Sequence, residues 1–145
     1  MYPFLLVIHL LAAIAFIGTL FFEVVIWHHA RQQLPDAPQL TADRAIAVRS
    51  RKVLHGVVLL LYGAGISLAW QYRGALSQPL ASSFGTLLSL KILLALSIIG
   101  HYLLLAYWLK SARLTSARAS WIRRSILGHM VLIVILAKTM FYWHG

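Results

Sequence analysis

Tyr2-Pro-Phe-Leu-Leu-Val-Ile-His9-Leu-Leu-Ala-Ala-Ile-Ala-Phe16-Ile-Gly18-Thr-Leu-Phe-Phe-Glu23-Val-Val-Ile-Trp27-His28-His29, residues 2–29, is the stretch that decides the fold. An apolar run of about 20 residues crosses a bilayer as a helix. An ionisable group within such a run is costly, so it marks a site by default. At 3.6 residues per turn, His9 and Glu23 fall about 40° apart around the helix. Both point toward one face, with Phe16 between them. The rest of the chain can be read as supplying partners for that face.

The whole chain has the composition of a membrane protein. It has 145 residues, 61% of them hydrophobic, and a mean hydropathy of +0.80. There is no Cys, so neither a disulfide framework nor a thiolate metal site can form. The formal charge of +10 sits in short loops between apolar runs. Basic loops of that kind are a topology signal, not a nucleic-acid surface. The first run has no basic leader and is too long for the core of a signal peptide, so it is expected to stay as a span.

Four runs are long enough to span, at about residues 2–27, 53–72, 86–109 and 125–143. They predict an all-α, four-helix transmembrane bundle forming one integral membrane domain. The first connection carries Arg31, Arg44, Arg49, Arg51 and Lys52 against Asp36 and Asp43. Its Pro35 and Pro38 argue against one unbroken helix, and Thr41–Asp43 can begin a short interfacial helix running into the second span. The second connection has one charge, Arg73. The third has Lys110, Arg113, Arg118, Arg123 and Arg124 and no acid. The positive-inside rule puts the first and third connections in the cytoplasm and both termini on the outer, periplasmic side. Trp27, Trp70, Tyr72, Trp108, Trp121, Tyr142 and Trp143 fall near span ends, as an aromatic belt requires.

That topology sorts the intramembrane polar groups by depth. His9, Lys91 and Lys138 lie at similar depth in the outer half. His55, His101 and His129 form a second layer in the inner half, with Glu23 slightly deeper. The layers are about nine residues apart, or roughly 13 Å. Imidazole is a common axial ligand of b-type haem, and helix-bundle cores hold such cofactors. A facing pair from His55, His101 and His129 can hold one iron. Arg51, Lys52, Arg123 and Arg124 can receive propionates at the inner boundary. Gly56, Gly63, Gly65, Gly100 and Gly128 can let a flat macrocycle approach the backbone. Each residue also has an ordinary explanation. His55 near a span end can face headgroups, as can His28, His29 and His144. Lys138 lies about 180° around its helix from His129 and can snorkel from a lipid-facing position. A three-histidine zinc site is compatible with the composition but lacks the metalloprotease signature. Met1, Met130 and Met140 form no cluster of the kind soft Cu(I) favours.

His9-Leu-Leu-Ala-Ala-Ile-Ala-Phe-Ile-Gly18-Thr-Leu-Phe-Phe, continuing to Trp27-His28-His29, resembles the first helix of the HemJ-type protoporphyrinogen oxidases and of the related CopD-like membrane domains. Leu88-Ser-Leu-Lys91, followed by Gly100-His101, resembles that family's third helix. Arg51-Lys52-Val-Leu is a weaker match. The resemblance covers most of the chain in architecture and two helices in motif. It implies a four-helix membrane protein binding haem b in a bacterial-type inner membrane. His9 and Lys91 would be its functional positions and His101 a further candidate. The implied activity is oxidation of protoporphyrinogen IX to protoporphyrin IX, with electrons leaving toward the respiratory chain. The chain departs from the family at the fourth helix. There it reads Arg123-Arg-Ser-Ile-Leu-Gly-His129 in place of an Asn-Glu-x-Pro-like element, which makes His129 this chain's own replacement ligand. Glu23 stands where the family tends to have a Pro-Arg pair.

The expected function is therefore haem-b-dependent redox chemistry on a porphyrinogen, a quinone or a reduced oxygen species. Catalysis is expected at His9 and Lys91, with cofactor binding by His9, His55, His101 and His129 and iron ligation by His101 and His129. The alternatives are a CopD-like copper-handling transport component and a cofactor-free accessory subunit of a respiratory complex. Four short helices give a macrocycle little room, so a homodimer is the expected assembly.

Overall fold

The computed structural model describes residues 1–143. His144, expected at the interface, lies outside them. Every regular element among the described residues is a helix. Four helices are long and apolar enough to cross a membrane: α1 (Tyr2–Gln33), α2 (Asp36–Gln71), α4 (Ser83–Lys110) and α5 (Ser116–Tyr142). A single short helix, α3 (Arg73–Ser77), falls between the second and third. The protein is thus all-α and multi-pass. It forms two compact units, Met1–Gln71 and Tyr72–Gly145, each a helical hairpin.

The first hairpin pairs α1 with α2. Ala12, Phe16 and Leu20 recur every four residues along one stripe of α1, and Leu61, Ala64 and Leu68 form a matching stripe on α2. Phe16 is fully buried. By contrast Phe4, Leu11, Ile14, Leu59 and Ile66 are all more than half exposed. A water-soluble domain would bury such side chains, whereas hydrocarbon does not penalise them. The backbone stays helical through α1, although its hydrogen-bond spacing changes. An α-helical Tyr2–Phe21 is followed by a π-helical Phe22–Trp27, one α turn and a 3-10 turn ending at Gln33. The π turn carries Glu23. Wider turns of this type concentrate at functional sites.

α2 begins much earlier than the second span expected from the sequence. Pro38 does not interrupt it, because it lies in the first turn, where N–H groups have no intrahelical partner to lose. The expected interfacial helix and the second span are one rod of 36 residues. At about 1.5 Å per residue that is roughly 54 Å, well beyond a hydrocarbon core of about 30 Å. The first turns of α2 are fastened to the end of α1 by Asp43. Its carboxylate accepts from Trp27 Nε1 at 2.8 Å and pairs with the Arg31 guanidinium at 2.7 Å. With its amide turned to face that guanidinium, the Gln39 oxygen accepts from Arg31 Nε and Nη2, each at 2.9 Å.

The second hairpin pairs α4 with α5. Its core is Gly85, Leu88 and Ile98 against Ile122, Ile126, Met130 and Met140. α4 starts at Ser82, whose hydroxyl accepts from Gly85 N at 3.0 Å. Gly85 must lack a side chain: a Cβ there would stand 3.0 Å from the Ala75 carbonyl oxygen of α3. α4 ends in two reversed hydrogen bonds, Arg113 N–H to the Trp108 carbonyl (2.9 Å) and Ala112 N–H to the Leu109 carbonyl (3.3 Å). This is the Schellman arrangement, which normally places glycine at the left-handed position. Here Ala112 occupies it with φ 52°. Ala112→Gly should therefore stabilise the hairpin by about 1 kcal/mol, the left-handed penalty less the entropy of glycine. The measurement is thermal unfolding in detergent, and a lowered midpoint would contradict the assignment of strain to this residue.

Candidate functional site

His101 on α4 and His129 on α5 each follow a serine by four residues. Ser97-Ile-Ile-Gly-His101 and Ser125-Ile-Leu-Gly-His129 are one five-residue word written twice, with a single Ile/Leu exchange. A spacing of four lays each imidazole over the carbonyl one turn back. His101 Nδ1–H donates to the Ser97 carbonyl and His129 Nδ1–H to the Ser125 carbonyl, both at 2.7 Å. A carbonyl only accepts, so in the neutral ring the proton is on Nδ1 and the lone pair on Nε2. Each lone pair meets the serine of the facing helix. Ser97 Oγ–H donates to His129 Nε2 at 3.0 Å, and Ser125 Oγ–H donates to His101 Nε2 at 2.8 Å. The result is a reciprocal set of four hydrogen bonds inside an apolar hairpin.

The two imidazoles also touch. Their centroids are 5.0 Å apart and their planes meet at 68°, edge to face. Trp121, one turn before Ser125, stacks on His101 at 5.6 Å and 22°. A run of three rings therefore leads from the exposed Trp121 to His129.

His9 belongs to the first hairpin, where its Nδ1–H donates to the Leu61 carbonyl of α2 at 3.0 Å. Gly65 makes room for it, since a Cβ at that position would lie 3.1 Å from His9 Cε1. His55 is exposed on α2. Lys91 is half-buried on α4, ten residues before His101, or about 15 Å along the helix. Among the described residues nothing hydrogen-bonds or pairs with its ammonium group. Lys138 is exposed, with Nζ 5.9 Å from the Tyr142 ring centroid, as expected of a lysine reaching along the surface toward the interface. His28 and His29 pack ring against ring at 5.3 Å, and His29 Nδ1–H returns to the Val25 carbonyl at 3.0 Å. Ser97 and Ser125 were not anticipated as site residues. The signal that finds them is the repeated word itself.

Each histidine of the pair fits iron in one respect. A metal-bound imidazole normally donates its other N–H to a carbonyl or carboxylate, and both do so here. As a pair they do not fit one haem. Axial ligands stand on opposite faces of the macrocycle, whereas rings in contact at 5.0 Å leave no space for a plane between them. Among the described residues no group of three or more His, Asp or Glu is placed to hold a metal ion, so the three-histidine zinc arrangement is not formed there. No protein-family model, curated protein or solved structure matches the chain.

The reciprocal bonds make two checkable statements. In a double-mutant cycle, Ser97→Ala and His129→Ala should couple by about 0.6 kcal/mol and by no more than about 1.7, the range for hydrogen bonds between membrane helices. Additive losses would remove the bond from the account. Gly65→Ala should push the His9 ring off the Leu61 carbonyl, read as a shift of its Nδ1 resonance in nitrogen NMR.

Proposed function

We propose that the protein is a haem-b-binding redox protein of a bacterial-type inner membrane, with both termini on the outer side. The observation that carries this reading is the tautomer. His101 and His129 are both held with the proton on Nδ1, so Nε2 is the atom that would ligate, in place of the serine hydroxyl it accepts from here. The contact between the rings supports ligation through one imidazole, the other keeping its serine. Gly100 and Gly128, each beside a histidine, have open space where a side chain would stand. Bound haem would supply one-electron chemistry.

The substrate that suits this reading is a porphyrinogen. Converting protoporphyrinogen IX to protoporphyrin IX removes six electrons and six protons. Three respiratory quinones, each taking two electrons and two protons to become a quinol, balance that loss, and side chains relay the protons. Lys91 fits the recognition of a substrate carboxylate, because its half-buried ammonium has no partner among the described residues. His9, held by the Leu61 carbonyl, fits proton transfer.

A second reading draws on the same ring contact. Two imidazoles this close suit a single small cation better than a macrocycle, and imidazole is a good ligand for copper. That is the copper-handling alternative. Oxidised and dithionite-reduced visible spectra of the purified protein, with metal analysis, separate the two. Haem binding predicts a Soret band and about one haem per chain, weakened by His101→Ala or His129→Ala. A full-strength spectrum in both variants would overturn the ligand assignment. Stoichiometric copper without a Soret band would replace haem with the second reading. Lys91→Ala should lower porphyrinogen turnover at least tenfold while the haem spectrum stays.

A further inference from the structure

The chain separates its charges in an unusual way. Its three acidic side chains, Glu23, Asp36 and Asp43, all precede residue 72. From Tyr72 onward there are eight lysines and arginines and no acidic side chain. In the first hairpin Arg31 has its counter-charge in Asp43. In the second hairpin no cation can have an acidic side chain of the same hairpin as its partner.

Three of those eight cations, Lys110, Arg113 and Arg118, lie at the turn between α4 and α5, and Arg123 and Arg124 follow about two turns into α5. The turn is built to hold one of them still. The Schellman bonds at the end of α4 fix Arg113, whose carbonyl accepts from Arg118 Nη1 at 2.6 Å. The Arg118 guanidinium lies over the Trp108 ring, 4.9 Å from its centroid. Thr115 caps α5, its hydroxyl accepting from the Arg118 backbone N–H at 3.2 Å. Arg118 is therefore held by ring, carbonyl and backbone together, although it is exposed. A guanidinium carries five N–H donors in a planar fork, and the bond to Arg113 uses one. The positive end of the α5 dipole adds to the same field.

From this geometry we infer that the α4–α5 turn is a binding site for the headgroup phosphate of an anionic phospholipid, seated between Arg118, Arg113 and Lys110. A pre-set guanidinium fork matches the oxygens of a phosphodiester. The height fits as well. Trp108 and Trp121 mark the boundary where aromatic side chains meet headgroups, so the phosphate of a neighbouring lipid lies at the level of the turn. An anionic lipid is favoured over a zwitterionic one because the hairpin provides no acid to offset its own cations. This inference is independent of the haem reading.

The test is native mass spectrometry of the full chain released from detergent, after titration with phosphatidylglycerol or with phosphatidylcholine of the same acyl chains. One retained phosphatidylglycerol per chain is expected, preferred over phosphatidylcholine about tenfold or more. Arg118→Gln should lower that retention about fivefold, in line with one interfacial cation. Trp108→Leu should also lower it, by releasing the guanidinium without changing the charge. Arg113→Gln serves as an independent variant should either of these fail to fold. Arg44→Gln, the same charge change in the first connection, should leave retention unchanged. Equal loss in Arg44→Gln would reduce the effect to general attraction and overturn the site. Equal retention of the two lipids would also overturn it, as would displacement of the lipid by millimolar inorganic phosphate.

Discussion

An imidazole placed in hydrocarbon has two nitrogens to satisfy and no water to satisfy them. Leaving one unpaired costs several kcal/mol on the scale of apolar solvents, on the order of the stability of a small hairpin. The second hairpin answers this in the most economical way its helices allow. Each histidine uses its own helix for one nitrogen and the opposite helix for the other. The serines are needed because hydroxyl is a small group that can donate across a helix interface without separating the backbones. Packing and polarity thus impose the same register, Ser97 against His129 and His101 against Ser125. The buried Ile98, Ile122, Ile126 and Met130 sit around that register.

The fold was largely legible because it rests on one long-range feature of the sequence, apolar runs of spanning length. Runs of Leu, Ile and Val fixed the number of helices and the class. The ends were harder to read. Pro35 does mark a break, since Leu34 beside it is extended and separates α1 from α2; Pro38 does not, because a proline in the first turn of a helix removes no bond, so α2 extends past the apolar layer. Nor could the π turn at Phe22–Trp27 be read. Changing from four-residue to five-residue bonding leaves side-chain composition unaltered, and only the backbone records it.

The site was legible in part, for a related reason. Depth along a helix follows from counting residues, and His101 and His129 do face each other. Rotation about the helix and contact between helices do not follow from counting. Depth alone also says nothing of exposure, and His55, assigned to the same level, is exposed on α2. Depth also gave no reason to single out Ser97 and Ser125, since serine is unremarkable in a membrane helix. Asp43 was similar. As a charge in a loop it looked like part of the topology signal, yet it ties Trp27 and Arg31 to the start of α2.

The twice-written word has a consequence for whatever binds there. Two antiparallel helices carrying the same five residues in register are related by a local two-fold axis, and a single ion arriving at that axis meets two seats of nearly equal energy. It is then shared between two positions related by rotation, as in a symmetric double well. The Trp121 ring stacked on His101 breaks that equality. A substitution at residue 121 would tilt the well without touching either seat.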